Sequence, residues 1–441
     1  MNLVTLDDKT PRGIAAAVGH AVRTGELAAG DRLPTVREVA ADLGVSPATV
    51  SAAWSALRRA GLVEARGRAG TFVRPAPAPR LSPRVAGLRG PADHTARLDL
   101  SRGTPDPALL PDLGPALRRV SERATTPGYQ AEPVVPELRA ILTDTWPSAV
   151  ESITVVDGAT DGVARVLEQV VSYGDRVVLE NPGFPPFFDL VEALGAEVVP
   201  VELDGVGVRP ESLRRALATR PAAVLLQPRA HNPTGVSTTP TRAASLARVL
   251  RGATTTPWVV EDDASGAIST APDVTLARWL PDRVVHVRSF SKSHGPDLRI
   301  AAVGGPTDLV DGVVARRMLG PAWTSRMIQH ILLDLLTTSR SMDEIAEARR
   351  QYFARQRVLV ERLADHGVEV DAPDGINLWL PVRDEAAAVL HLAAAGIRVA
   401  GGRPFLATGS PGSFVRVTSG LVQPDDADDV ARALAEAARS A

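Results

Sequence analysis

The chain has 441 residues, 44% of them apolar, and a formal net charge of −2, enough for two or three domains with a sizeable core. It contains no cysteine, which excludes disulfides, thiolate catalysis and cysteine-ligated metal sites; no metal site is expected. Of its 49 lysine and arginine residues only two are lysine, Lys9 and Lys292. The opening stretch MNLVTLDDKT is acidic and poor in apolar residues, which argues against a signal peptide, and no apolar run approaches membrane-spanning length. The expectation is a cytoplasmic protein with no membrane partner.

Residues 1–75 read as a first domain. They carry ten cations and seven acids, a mild basic bias against the acidic remainder. Ile14, Val18 and Val22 recur on one helical face. Thr35 and Glu38 have capping-box spacing, with Gly44 as a stop. Ser46 can cap a further helix that opens at Pro47, buries Val50, Trp54 and Leu57, and ends at Gly61. LVEARGRAGTFV then predicts two short strands around a Gly/Arg turn. Helices joined by LGVS and followed by a hairpin make a winged helix-turn-helix, whose last helix enters the major groove of double-stranded DNA. Arg37, Ser46, Ala48, Thr49 and Ser51 suit phosphate and base-edge contacts, and Arg66, Arg68 and Gly70 form a turn suited to the minor groove. Residues 10–73 resemble the GntR family of DNA-binding domains, with Pro47 where that family usually has a basic residue.

Residues 76–95, rich in Pro, Ala and Arg, predict a semi-stiff extended linker; ~20 residues at ~3.1 Å each reach roughly 60 Å. Residues 96–441 predict a second domain. The strands ITVVDG, RVVLENP, EVVPVEL, AAVLLQP, WVVEDD, VVHVRSF and RIAAVGG alternate with helical patterns, which argues for an α/β fold with a largely parallel sheet over about 140–330. From about 331 to 441 the pattern suggests a smaller α+β part.

Four features fall at predicted strand ends, where α/β sheets bind ligands. DGATDGV is a strand-to-helix turn suited to a phosphate. NPGFPPFF supplies aromatics, HNPTG an amide and VVEDDASG acids. SFSKSHGPDLR adds an amine, three hydroxyls, among them Ser289 and Ser291, and an arginine within eleven residues. Arginine stays protonated, whereas lysine can become a neutral nucleophile, so Lys292 is a candidate for covalent chemistry. An aldehyde, a phosphate, a basic ring nitrogen and a flat ring would use all these groups, and pyridoxal 5′-phosphate (PLP) has all four.

This half resembles the fold-type I PLP enzymes of the aspartate aminotransferase superfamily. The resemblance implies that Lys292 bonds the cofactor covalently, Asp262 faces the pyridine nitrogen, Phe184 stacks on the ring and Asn232 bonds its phenolic oxygen. It implies that Ala159, Thr160, Ser289, Ser291 and Arg299 hold the phosphate. Tyr129 would reach the phosphate in a partner subunit, and Arg416 would pair with the α-carboxylate of an amine effector. Ala264 stands where the superfamily commonly has a tyrosine bonding the phenolic oxygen, which weakens the case for efficient transamination.

Together the two halves resemble the MocR subfamily of GntR-type transcriptional regulators. That implies a multidomain regulator whose aminotransferase-like domain senses an amino acid, an amine or PLP itself, working as a head-to-tail, domain-swapped homodimer. The alternatives are an active aminotransferase with a fused DNA-binding domain, and a regulator with a dead pocket.

Overall fold

The computed structural model describes residues 6, 8–23, 26–59, 62–74, 82–89, 96–123, 128–129, 131–371, 373–407 and 412–440. The chain divides into two compact units, Met1–Leu81 and Ser82–Ala441.

The first unit holds helices α1 (Pro11–Arg23), α2 (Val36–Leu43) and α3 (Pro47–Arg59), then strands β1 (Val63–Ala65) and β2 (Thr71–Val73). The capping box forms. The Thr35 side chain accepts from Glu38 N at 3.3 Å, and Thr35 N donates to Glu38 Oε2 at 2.7 Å. Gly44 ends α2 in the left-handed region, φ 65°, which glycine adopts without a Cβ penalty. Lys9 Nζ donates to Leu43 O at the same helix end, at 3.0 Å. Ile14, Val18, Leu43, Val50, Trp54, Leu57, Val63 and Val73 are buried as one core. β1 and β2 pair antiparallel, with Val63 opposite Val73. A β-bridge from Arg32 to Phe72 adds a third edge to this wing.

The second unit begins with a helix. Within the segment expected to be an extended linker, Pro83–Arg89 forms α4, so that expectation is corrected there. Residues 75–81 and 90–95 lie outside the described residues. The sequence carries the reason for the helix: Ser82 as a cap and Pro83 at the first helical position. Next come β3 (Leu98–Asp99), α5 (Leu113–Arg123), α6 (Pro136–Asp144), β4 (Ser152–Val156), α7 (Ala159–Val170), β5 (Arg176–Asn181) and α8 (Pro185–Ala193). They are followed by β6 (Glu197–Asp204), β7 (Gly207–Val208), α9 (Pro210–Leu217), β8 (Ala223–Leu226), α10 (Pro240–Arg251), β9 (Trp258–Asp263), β10 (Val284–Ser289) and β11 (Ala301–Gly305). The large part closes with α11 (Thr307–Met318) and α12 (Arg326–Thr337).

All seven expected strands form. They and β7 make one sheet in the order β4-β11-β10-β9-β8-β5-β6-β7. Strands β10, β9, β8, β5 and β6 run parallel, and β11 runs against both its neighbours. Valines and leucines on both faces pack under helices, so these strands read as continuous apolar runs rather than alternating ones. Their carboxyl ends, at Asp157, Asn181, Gln227, Asp262 and Ser289, lie along one edge.

The small part holds α13 (Ser339–Asp365), β12 (Leu378–Val382), α14 (Glu385–Ala394), β13 (Ile397–Arg398), β14 (Ala400–Gly401), β15 (Ser413–Val417) and α15 (Ala427–Arg439). The expected partition shifts in two places. Helix α12 packs with α5 and α6 in the large part's core, so the small part starts at α13 rather than near 331. Strand β3 pairs with β13, and Leu100 joins the small part's core, so the segment after residue 96 is shared between the two parts. No helix among the described residues is long and apolar enough to cross a membrane.

Candidate functional site

Lys292 sits in the turn after β10, partly buried, with its ammonium donating to Ala264 O at 3.4 Å. Burial pulls its pKa below the ordinary lysine value; Asp262 opposes this shift and Arg416 adds to it. Both groups are therefore close enough to act on its charge. A lowered pKa enlarges the neutral fraction of the amine, the form that attacks a carbonyl carbon.

Asp262, 3% exposed, lies in the buried run of β9, one residue before its end at Asp263. Gln227 Nε2 donates to its Oδ2 at 2.7 Å, while Oδ1 is buried with no hydrogen-bond partner among the described residues. Burial pushes the carboxyl up to about 6. A buried carboxylate oxygen without a donor is costly in this state and fits a protonated ring nitrogen. Gln227 also ties in Asn232, whose backbone N–H donates to Gln227 Oε1 at 3.0 Å. Its own backbone N–H donates to Glu180 Oε2 at 2.6 Å. Burial pushes Glu180 up to about 8 and His231 down to about 3, so their 3.5 Å contact joins two neutral groups rather than an ion pair.

Arg416, 2% exposed, lies in β15. It donates to Ser101 O, and through NH1 to Asn232 Oδ1 at 3.4 Å, with its guanidinium 5.0 Å from the Phe405 ring centroid. Its Nε has no partner among the described residues, and burial lowers its pKa to about 10. No carboxylate among the described residues forms an ion pair with it, which suits a bidentate carboxylate ligand. Gly103, φ 63°, makes room: a Cβ there would lie 2.8 Å from Arg416 NH1.

The residues expected to hold a phosphate lie at the start of α7 and in the turn after β10. Gly158 caps α7 with φ 103°, and a Cβ there would fall 2.5 Å from Arg299 NH2. Arg299 donates to Asp157 O at 3.1 Å. Ala159 and Thr160 open the helix, Thr160 exposed, where free backbone N–H groups favour an anion. Ser291 N donates to Ser289 Oγ at 3.3 Å. Arg317, fully buried, braces this turn by donating to Asp157 at 3.2 Å and Asp161 at 2.8 Å. Phe184 caps α8 and meets Phe187 edge-on at 5.1 Å.

Tyr129 makes none of the hydrogen bonds described above. It is 85% exposed, with its ring 6.1 Å from Trp323. Gln227, Glu180, Ser101, Gly103, Gly158 and Phe405 were not legible as site residues. Only Gln227, a polar residue closing an apolar run at a strand end, carried a local signal.

In the first unit, Arg37, Ser46 and Ser51 are exposed and Thr49 is partly so. Ser46 Oγ accepts from Thr49 N at 3.1 Å, so this hydroxyl also caps α3. Arg66 is paired with Glu64 at 2.6 Å and lies over Phe72. The Arg68 side chain lies outside the description. Gly70, φ 110°, packs against Arg32, a cation the sequence reading passed over.

The family described as aminotransferase class I and II matches residues 95–434, and that described as bacterial regulatory proteins, gntR family, matches 10–73. The vitamin B6 salvage pathway transcriptional repressor PtsJ of Salmonella typhimurium is 34% identical over 97% of this chain and 98% of its own. The regulator TauR of Rhodobacter capsulatus is 28% identical over 88% of each chain. The probable rhizopine catabolism regulatory protein MocR of Rhizobium meliloti is 27% identical over 78% of this chain and 75% of its own. The kynurenine aminotransferase of Pyrococcus horikoshii, solved with PMP, superposes with a TM-score of 0.73 at 21% identity, covering 81% of this chain and 95% of its own. LysN, the α-aminoadipate aminotransferase of Thermus thermophilus, gives 0.72 at 21% identity, covering 87% and 97%. These structures establish the fold of the second unit. The chain belongs to the MocR type of gntR-family transcriptional regulators, a DNA-binding winged helix-turn-helix joined to an aminotransferase class I and II domain.

Proposed function

We propose that the second unit holds PLP at Lys292 and reports its presence to the DNA-binding unit, making the protein a cofactor-sensing regulator rather than a working aminotransferase. The observation that carries this reading is Asp262 Oδ1, buried and without a partner beside a lysine whose pKa is depressed. Bound PLP supplies an aldehyde carbon for an amine and a ring that delocalises charge. Asp262 would accept from the ring nitrogen and keep it protonated. Phe184 would cover one ring face, and Asn232 would donate to the phenolic oxygen. Ala159, Thr160, Ser289, Ser291 and Arg299 would hold the phosphate. Tyr129, 85% exposed, would reach a partner subunit's phosphate in a head-to-tail, domain-swapped homodimer.

At Ala264 there is only a methyl group where a hydroxyl would steady the phenolic oxygen and help transfer protons, and the Lys292 amine meets that residue's carbonyl. That favours holding the cofactor over turning substrates over. The Salmonella relative's name, a vitamin B6 salvage repressor, supports PLP itself as the effector and repression as the response. On the DNA side, α3 would lie in the major groove. Arg37, Ser46, Thr49 and Ser51 would contact phosphates and base edges, with Arg32, Arg66, Arg68 and Gly70 at the wing.

Titrating the purified protein with PLP tests the reading. A protein-bound visible absorption band should appear and be lost in Lys292→Ala; no band in the unmodified protein would sink it. A gel shift on the gene's own upstream DNA should change with PLP in the unmodified protein and not in Lys292→Ala. A second reading, an active aminotransferase, draws on Arg416, a buried guanidinium without a carboxylate partner. Rapid keto-acid production from common amino acids would establish it.

A further inference from the structure

Helix α4 is the stretch of chain that leads from the linker into the second unit, and it is fastened to that unit. Its capping hydroxyl, Ser82 Oγ, accepts from Val85 N at 3.3 Å and donates to Asp189 on α8. Arg84 donates to Glu192 on α8 at 2.7 Å and lies 3.7 Å from Asp189. Its guanidinium stands 4.8 Å from the centroid of the Phe188 ring. Helix α4 also packs on the short turn Arg403–Phe405.

Both supports run directly into the site. Helix α8 is capped by Phe184. The turn carries Phe405, whose ring lies under Arg416. The supports are also joined to each other. Gly183 N donates to Phe405 O at 2.8 Å, and Ala407 N donates to Asn181 Oδ1 at 2.9 Å. A group that stacks on Phe184 or draws on Arg416 therefore acts on the two surfaces that seat α4. The clasp itself consists of partly exposed polar contacts and one cation–π contact, individually weak enough for a ligand of ordinary affinity to reset.

We propose that α4 is a clasp: its seat on α8 and the Arg403–Phe405 turn changes when the hollow around Lys292 and Arg416 is filled, and this change carries the ligand signal into residues 75–81 and the winged helix. The inference rests on the function proposed above, with PLP as the ligand. Ser82, Arg84, Asp189 and Glu192 are then signalling residues that touch neither cofactor nor DNA.

The chain's lack of cysteine allows a direct test. In the full-length double variant Ser82→Cys/Asp189→Cys, oxidation should lock the clasp. DNA affinity and the PLP absorption band are measured with and without PLP, oxidised and reduced. The oxidised form should bind PLP as the reduced form does, yet show no PLP-dependent change in DNA affinity, and reduction should restore the change. Arg84→Glu, which sets a carboxylate against Asp189 and Glu192, should keep the PLP band and reduce the PLP-dependent change at least about 5-fold. If the unmodified protein shows no DNA response to PLP, the functional reading fails and takes the clasp with it. If the unmodified protein responds, and the locked form and Arg84→Glu respond equally well, the clasp alone is overturned.

Discussion

The recognition face of the winged helix and the hollow around Lys292 are built in opposite ways. On the first, Arg37, Ser46 and Ser51 stand in solvent, and Ser46 already serves its own helix as a cap. In the second, Asp262 and Arg416 are buried beside Lys292 with polar atoms left unpartnered. Exposed groups keep their hydration until a ligand arrives and add little to folding. Buried, under-bonded groups cost the empty protein stability, and a ligand that satisfies them recovers it. Substitutions should therefore separate: on the recognition face all but the capping Ser46 should change DNA binding with little effect on stability, and those at Asp262 and Arg416 should change ligand binding and stability in opposite directions.

The largest break in the comparison should come from Trp54→Ala. It empties a core position of the first unit and should cost about 3–5 kcal/mol. Calorimetry of the full chain should show that unit melting early and DNA binding lost, with the PLP absorption band intact. Loss of the band as well would mean the units do not fold separately.

Asp262→Asn should weaken PLP binding on the order of 100-fold, since it removes the anion facing the ring nitrogen. The same change should stabilise the PLP-free protein above pH 6. Burial raises this carboxyl from its ordinary value of 3.8 to about 6. A group with a raised folded pKa supports folding below its unfolded value and loses that support as pH rises through the folded value. Asparagine does not titrate, so the melting temperature of the variant should overtake that of the unmodified protein as pH passes from 4 to 7. Equal slopes with pH would contradict the burial argument.

Arg37→Ala should weaken DNA binding about 10-fold and lower the salt slope by about one, with stability unchanged within about 0.5 kcal/mol. A large drop in melting temperature would show that Arg37 supports the fold instead. The smallest effect should come from Thr35→Ala, which removes the capping box of α2 at ~1 kcal/mol, readable in the first unit's melting transition alone.

What could be read from the chain follows the same division. Thr35 with Glu38, Gly44, and Ser46 before Pro47 are local rules, and each formed as spaced. The seven strands were legible because buried parallel strands are short apolar runs between helices. Lys292, Asp262 and Asn232 lie in motifs at strand ends and Arg416 came from the family resemblance, and the fold draws them together. Gln227 and Glu180 were not legible as a network, because their partners lie 35 and 47 residues away in sequence. Helix α4 was hidden by its Pro-rich surroundings. Seven residues cannot hold a helix alone, so the contacts with α8 decide it.

By itself, the sequence determined the winged-helix elements and their caps, the seven strands of the large part in chain order, and a lysine suited to covalent chemistry. These depend on neighbours three or four residues apart or on the chemistry of a single side chain. Only the tertiary structure decided that Asp262 would be left one hydrogen bond short among the described residues, that Arg416 would be buried with no ion-paired carboxylate among them, and that Pro83–Arg89 would form a helix fastened to α8. Those properties depend on which distant residues arrive, and on which do not.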